Sequence, residues 1–118
     1  MHIAITADPY LPVPPRFYGG IERVIDLLVR GLAARGHEVT LFAHPGSDTP
    51  ARLQPYGVAP HAGPWARTRE LCQVGRGLWD ARTRVHIVHS FGRLAAMLPI
   101  LPVRELPKVQ SYQRAVPW

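Results

Sequence analysis

A glycine pair at the start of a predicted helix is the part of this chain best suited to chemistry. Gly19 and Gly20 stand directly before Ile21, where a helical pattern begins. Glycine allows a tight turn and a close backbone approach to a ligand, and free N–H groups at a helix start face an anion with the positive end of the helix dipole. The spacing therefore predicts a phosphate-facing loop, with a turn that packs the helix onto a sheet as the alternative.

The elements that position this loop follow from the hydrophobic pattern. Residues 2–7 are mostly apolar, which is typical of a buried parallel strand, and the prolines in residues 9–15 predict a stiff loop after it. Apolar residues then recur at helical spacing from Ile21 onward, and Gly36 provides a left-handed stop. A second strand at residues 39–43 completes a strand–helix–strand unit.

Weaker patterns predict the rest of the fold. Residues 45–64 are predicted to be irregular because prolines and glycines are frequent there. The other predicted elements are a helix at 65–80, a strand at 84–89, a short helix at 91–98 that ends before Pro99, and a strand at 107–112. Strands alternating with helices predict an α/β fold, a Rossmann-like open and mostly parallel sheet with flanking helices.

Ligands of such a sheet bind beyond the carboxyl ends of its strands. In this chain those ends are residues 8–20, 44–47, 89–92 and 112–114. Because the carboxyl ends of parallel strands meet at one edge, we expect any binding site to be assembled from these four segments.

Composition narrows the class of protein. A chain of 118 residues with 47% hydrophobic and 19% charged residues fits one small soluble domain. The formal net charge of +6 favours an anionic partner, but the arginines are scattered and are not interleaved with aromatic residues. This argues against nucleic-acid binding and leaves an anionic membrane surface as a peripheral contact. No secretory segment is recognisable and Cys72 has no cysteine partner, so we expect a cytoplasmic protein, with the inner membrane face as its further location.

Three segments of the chain form a recognisable combination. They are Tyr18-Gly19-Gly20-Ile21-Glu22-Arg23-Val24, the run LAARGHEVTLFA at residues 32–43, and Val88-His89. Together they resemble the N-terminal, acceptor-side domain of family 4 glycosyltransferases, most strongly over residues 1–45. The resemblance implies one half of a GT-B fold, in which a second Rossmann-like domain holds the nucleotide sugar. The implied reaction moves a sugar from a nucleotide-sugar donor to an acceptor with retention of anomeric configuration, and it needs no metal or other cofactor.

The resemblance gives the glycine loop a role in binding the donor. The backbones of Gly19, Gly20 and Ile21 match the loop that approaches the donor phosphates and the transferred sugar. Fixed N–H groups would there stabilise a leaving diphosphate. Tyr18 and Glu22 are implied to lie on the acceptor side, while an acid at position 22 is explained equally well by the helix dipole.

Two further positions are implied to be catalytic. His89 matches a histidine after the third strand and could bond an acceptor hydroxyl or carry a proton, with a buried histidine bonded to the backbone as the alternative. His86 stands where relatives have an aspartate. Gln113 replaces a histidine of the cleft, and it can donate a hydrogen bond but cannot titrate. Its neighbours Tyr112 and Arg114 are acceptor-side candidates.

The length of the chain limits what it is expected to do alone. Two domains of this family need roughly 300 residues, so we expect residues 1–118 to hold one partial N-terminal domain without a donor-binding domain. The expected partners are a nucleotide sugar, an unknown acceptor, and either a separate donor-domain chain or a second copy in a homodimer. Two alternatives remain open: a non-catalytic binding or regulatory module with this fold, and a nucleotide-binding α/β protein unrelated to sugar transfer.

Overall fold

The computed structural model describes residues 1–10, 12–15, 19–57 and 65–111, which form a five-stranded sheet between helices. The strands are β1 (His2–Thr6), β2 (Glu38–Ala43), β3 (Arg52–Pro55), β4 (Ile87–Ser90) and β5 (Lys108–Gln110). The helices are α1 (Gly20–Ala34), α2 (Ala66–Ala81) and a 3-10 helix (Leu94–Ile100). The strand order is β3-β2-β1-β4-β5, and every pairing is parallel. The predicted Rossmann-like open sheet is therefore confirmed.

Two apolar layers hold the helices against opposite faces of the sheet. On one face Ile25 and Val29 of α1 pack against Ile5 and Leu41. On the other face α2 and the 3-10 helix cover a cluster whose buried members include Phe42, Val74, Leu78, Val88 and Ile100. Successive residues of a strand point to opposite faces, so the mostly apolar strands feed both layers.

Helix α1 is built as its sequence predicts. Ile25 and Val29 are buried, whereas the apolar side chains of Val24 and Leu27 are exposed. The side chains of Asp26 and Arg30 form an ion pair of 3.0 Å one turn apart. Gly36 adopts a φ of 85°, the left-handed conformation expected after the helix. The chain then enters β2 at Glu38.

Strand β3 lies in a segment predicted to be irregular, and that prediction is wrong for Arg52–Pro55. The strand has only four residues, and the sequence Arg-Leu-Gln-Pro lacks the apolar run of a buried strand. It lies at the edge of the sheet, where polar residues and a terminal proline are tolerated. Its polar composition is the reason that the sequence pattern did not indicate it.

The carboxyl-terminal elements differ from prediction in their bounds. The strand expected at 84–89 begins only at Ile87. Before it, the backbone N–H groups of Arg84 and Val85 donate to the carbonyl of Ala81 at 2.8 and 3.1 Å, which continues the turn after α2. The short helix is a 3-10 helix that contains Pro99 and does not end before it. Pro99 fits because Gly75 of α2 leaves room: a Cβ at that glycine would lie 3.1 Å from Pro99 Cγ.

None of the helices within the described ranges has both the length and the apolar character needed to cross a bilayer.

Candidate functional site

A narrow pocket opens at the carboxyl ends of β1 and β4, the two strands at which the sheet order changes direction. The chain runs from β1 outward to β2 and β3, and then returns to place β4 on the other side of β1. Such a switch point leaves a crevice between the loops that leave its two strands. Asp8 after β1 and Gly92 and Arg93 after β4 line it, together with Arg67 and Glu70 from the start of α2.

The floor of this pocket is a buried polar contact. Thr6 Oγ1 donates to Ser90 Oγ at 2.9 Å, joining the last residues of the two strands. Above it, Gly92 permits a close approach of the two loops, since a Cβ there would lie 3.2 Å from Asp8 Oδ1. Asp8 thus lines the crevice beside Gly92.

Tyr56 forms a buried wall of the pocket. Its hydroxyl donates to the backbone carbonyl of Ala7, the residue after β1. Burial raises the pKa of the Tyr56 phenol far above its ordinary value, and the negative charges of Asp8 and then Glu70 add to the effect. Tyr56 therefore serves as a neutral hydrogen-bond donor that fixes the end of β1.

A hydrogen bond between Tyr10 and Glu70 joins the loop after β1 to α2 beside the pocket. The Tyr10 hydroxyl donates to Glu70 Oε2 at 3.0 Å, and Glu70 is buried with 8% of its surface exposed. Partial burial and then the bond to Glu70 raise the pKa of Tyr10, while the positive charges of Arg93 and Arg67 act in the other direction. The pocket thus brings two carboxylates, two guanidinium groups and two phenols together, an arrangement that can both donate and accept hydrogen bonds.

The glycine loop lies at the same edge, because α1 follows β1 in the chain. Gly19 is the N-cap of α1, with a φ of 143° that only glycine readily adopts, and none of the described side chains caps the helix start. Gly20 is exposed, and a Cβ at this position would meet no atom of the described residues within 4 Å. Ile21 and Glu22 follow as half-buried residues of the first turn. A side chain at Gly20 would therefore find open space among the described residues, whereas Tyr18 lies outside them.

His89 is held in place by two neighbours. It lies within β4, half-buried, with a ring nitrogen 2.6 Å from Ser111 Oγ and its ring stacked on Phe91 at a centroid distance of 4.3 Å. Burial lowers the pKa of His89 and so favours its neutral imidazole. Ser111 directly follows β5, and its N–H donates to the carbonyl of Ser90 at 2.9 Å. His89 therefore joins β4 to Ser111, directly after β5.

Comparison with known proteins decides the family. The sequence profile of the family described as Glycosyltransferase Family 4 matches residues 18–115. The chain belongs to glycosyltransferase family 4. The match reaches well beyond residue 45, so the hypothesis of an α/β protein with an accidental resemblance to this family is wrong.

The fold is also shared with a solved member of the glycosyltransferases. Thirteen chains of known structure match, among them the crystal structure of AviGT4, a glycosyltransferase involved in avilamycin A biosynthesis. The two are 28% identical with a TM-score of 0.62, and the match covers 92% of this chain and 30% of AviGT4. This chain thus spans less than a third of the length of that enzyme. A search of curated proteins finds no match to the present chain.

Other positions singled out by the family resemblance have structural partners. The backbone N–H of His2 donates to His86 Nδ1 at 2.8 Å, so the residue that replaces the family's aspartate holds the amino end of the sheet, away from the pocket. After β2, Ser47 Oγ accepts from the N–H of Val13 at 3.0 Å and fixes the proline-containing loop. Gln113, Tyr112 and Arg114 lie outside the described residues and stay predictions.

Sequence reasoning missed the side chains that α2 contributes to the pocket. Arg67 and Glu70 lie there because α2 follows β3 in the chain and therefore starts at the carboxyl edge. A prediction of β3 from the sequence would have indicated that α2 starts at this edge of the sheet. Tyr10 and Gly92 fall within the segments predicted to form the binding edge. In the described ranges, no three His, Cys, Asp or Glu side chains are placed to hold a metal ion.

Proposed function

We propose that this domain supplies the acceptor side of a retaining glycosyltransferase, which moves a sugar from a nucleotide-sugar donor to an acceptor. Membership of family 4 supports the class of reaction. The observation that carries the proposal is the placement of Gly20, an exposed helix-start residue beside open space at the binding edge of the sheet. This is the geometry that a backbone needs to approach a diphosphate.

The donor is bound in this proposal by the backbone of Gly19, Gly20 and Ile21. Their N–H groups face the diphosphate of the nucleotide sugar, with the positive end of the α1 dipole behind them. Negative charge grows on that diphosphate as the sugar leaves, and each fixed donor of this kind contributes about 3 kcal/mol to transition-state stabilisation. No metal or other cofactor takes part.

The acceptor enters the pocket between Asp8 and Glu70. Because the two carboxylates there are balanced by Arg67 and Arg93, the site suits an uncharged hydroxyl group better than an ion. The released acceptor proton passes to the phosphate of the donor itself, so no titrating base is needed at Gln113. The role of His89 is then to position Ser111 and the segment after it.

The remaining candidates complete the acceptor side of the proposed cleft. Gln113 donates a hydrogen bond to the transferred sugar or to the acceptor. Tyr18, Glu22, Tyr112 and Arg114 surround the acceptor. The nucleotide is held by a donor domain, and residues 1–118 are inactive without one. The proposed protein partner is a separate donor-domain chain or, in a homodimer, a second copy of this chain. The proposed location is the cytoplasm.

The experiment exploits the open space at Gly20. Gly20→Ala places a methyl group where the phosphate would approach, and Gly31→Ala on the same helix also meets no atom within 4 Å. Each variant is mixed with a family 4 donor domain and a panel of nucleotide sugars and acceptors, and release of nucleoside diphosphate is measured. We expect turnover to fall about 100-fold in Gly20→Ala and to stay unchanged in Gly31→Ala. The melting temperature of neither variant should be lower than that of the unmodified chain.

Two results would contradict this proposal. Equal turnover by Gly20→Ala and the unmodified chain would remove the glycine loop from the reaction. Acceptor binding by the chain, without diphosphate release in any mixture, would favour the alternative of a non-catalytic binding or regulatory module.

A further inference from the structure

One stripe of exposed side chains runs along the outer face of α2. Its members are spaced four and three residues apart, which places them in a line on a helix. They are Trp65, Arg69, Cys72, Arg76 and Trp79, all exposed. At 1.5 Å per residue this α2 stripe is about 21 Å long, with an indole at each end and two guanidinium groups between them.

The charges on the two long helices are arranged differently. In α1 the two acids balance the two arginines, and Arg30 is paired with Asp26. Helix α2 carries three arginines and two acids: Glu70 is buried and accepts from Tyr10, and Asp80 is exposed one turn after Arg76. Among the described residues, the guanidinium groups of Arg69 and Arg76 have neither an ion pair nor a hydrogen bond. Unpaired cations in a row fit an anionic surface outside the molecule.

The two indoles distinguish a lipid surface from other anionic partners. Trp65 is 68% exposed and Trp79 is 42% exposed, and the guanidinium of Arg82 lies 3.7 Å from the centre of the Trp79 ring. Leu98 of the 3-10 helix, which packs against α2, and Leu101 directly after that helix are also exposed. Indoles prefer the headgroup level of a bilayer, where an apolar ring and a polar N–H are both satisfied.

A nucleic acid is the less favoured occupant of this surface. Proteins that bind single strands use a basic groove with aromatic rings on which successive bases stack. The α2 stripe lies on the convex outer side of a helix. A helix that lies flat on a bilayer with its basic residues against phosphates matches this shape.

We propose that the α2 stripe docks the protein on an anionic lipid surface. Arg69 and Arg76 contact lipid phosphates, and Trp65 and Trp79 insert at the headgroup level at either end. This interaction does not depend on sugar transfer, because no group of the proposed donor or acceptor site belongs to the stripe.

The test is co-sedimentation of the full 118-residue chain with vesicles. One vesicle contains phosphatidylglycerol and phosphatidylcholine, and the other contains phosphatidylcholine alone. We expect binding to the anionic vesicle only, with a blue shift of indole emission that Trp65→Phe/Trp79→Phe reduces. Loss of two surface arginines near a lipid surface weakens binding by about 30-fold, so Arg69→Glu/Arg76→Glu should lose binding by at least this factor.

The matched control changes the same charge elsewhere. Arg35→Glu/Arg104→Glu alters two exposed arginines outside α2 and should keep binding within about twofold, with circular dichroism confirming that both double variants are folded. The proposal fails if the control loses binding as strongly as the stripe variant, if binding is equal on both vesicles, or if a single-stranded RNA oligonucleotide binds through the stripe and the vesicles do not. No nucleotide sugar is present, so these outcomes are independent of the proposed reaction.

Discussion

Thr6 Oγ1 donates to Ser90 Oγ at 2.9 Å where the two central strands end, and the two residues are 1% and 0% exposed. Thr6→Val keeps the shape of the side chain but leaves the Ser90 hydroxyl buried without this partner. We expect the free energy of unfolding to fall by about 1–3 kcal/mol, measured by urea denaturation. The double variant Thr6→Val/Ser90→Ala should recover part of this loss, and a double variant whose losses are simply additive would contradict the coupling.

Gly77 marks the tightest contact between α2 and the sheet. A Cβ at this position would lie 2.6 Å from Cε1 of Phe42, a side chain of the core with 3% exposure. Gly77→Ala should therefore destabilise the fold by about 1–3 kcal/mol despite the better helix propensity of alanine. Gly31→Ala, with open space around it, should stabilise the fold by about 0.5–1 kcal/mol. Thermal unfolding of the two variants measures the predicted loss of stability in Gly77→Ala and the predicted gain in Gly31→Ala. A gain in stability for Gly77→Ala would contradict the close contact.

Local signals were enough to predict the elements that carry the glycine loop. The apolar run before Asp8, the helical spacing from Ile21 and the stop at Gly36 each depend on a few neighbouring residues, so the sequence indicates them directly. Strand β3 depends on its pairing with β2 at the sheet edge, and a polar four-residue strand has no local apolar signal. The pocket depends on that strand, because β3 decides where α2 begins. The contact of His89 with Ser111 joins two strands and is likewise set by tertiary structure.

His89 should give the protein a dependence of stability on pH. Burial lowers its pKa in the folded state, so the unfolded chain, in which histidine titrates near about 6.5, binds the proton more readily. The stabilising contribution of the neutral ring is therefore complete above about pH 6.5 and is lost as the pH falls toward the lowered folded-state pKa.

The measurement is a series of urea midpoints between pH 7.5 and pH 5. His89→Gln should flatten the decline relative to the unmodified chain, because it removes the ring whose pKa burial lowers. A decline that is equally steep in His89→Gln would assign the pH dependence to other groups.

Tyr10 and Glu70 connect the loop after β1 to α2 across the proposed acceptor pocket. Tyr10→Phe removes the hydroxyl that donates to Glu70 Oε2 at 3.0 Å, and it leaves a carboxylate of 8% exposure without that donor. The half-exposed phenol limits the effect, so we expect a loss of about 1–2 kcal/mol in the free energy of unfolding. Glu70→Gln keeps an amide oxygen that accepts the phenolic proton, and its loss should be smaller than that of Tyr10→Phe. If Glu70→Gln is instead the more damaging change, the negative charge of Glu70 must serve Arg67 and Arg93 rather than Tyr10, and the balance of charge proposed for the pocket would depend on that carboxylate.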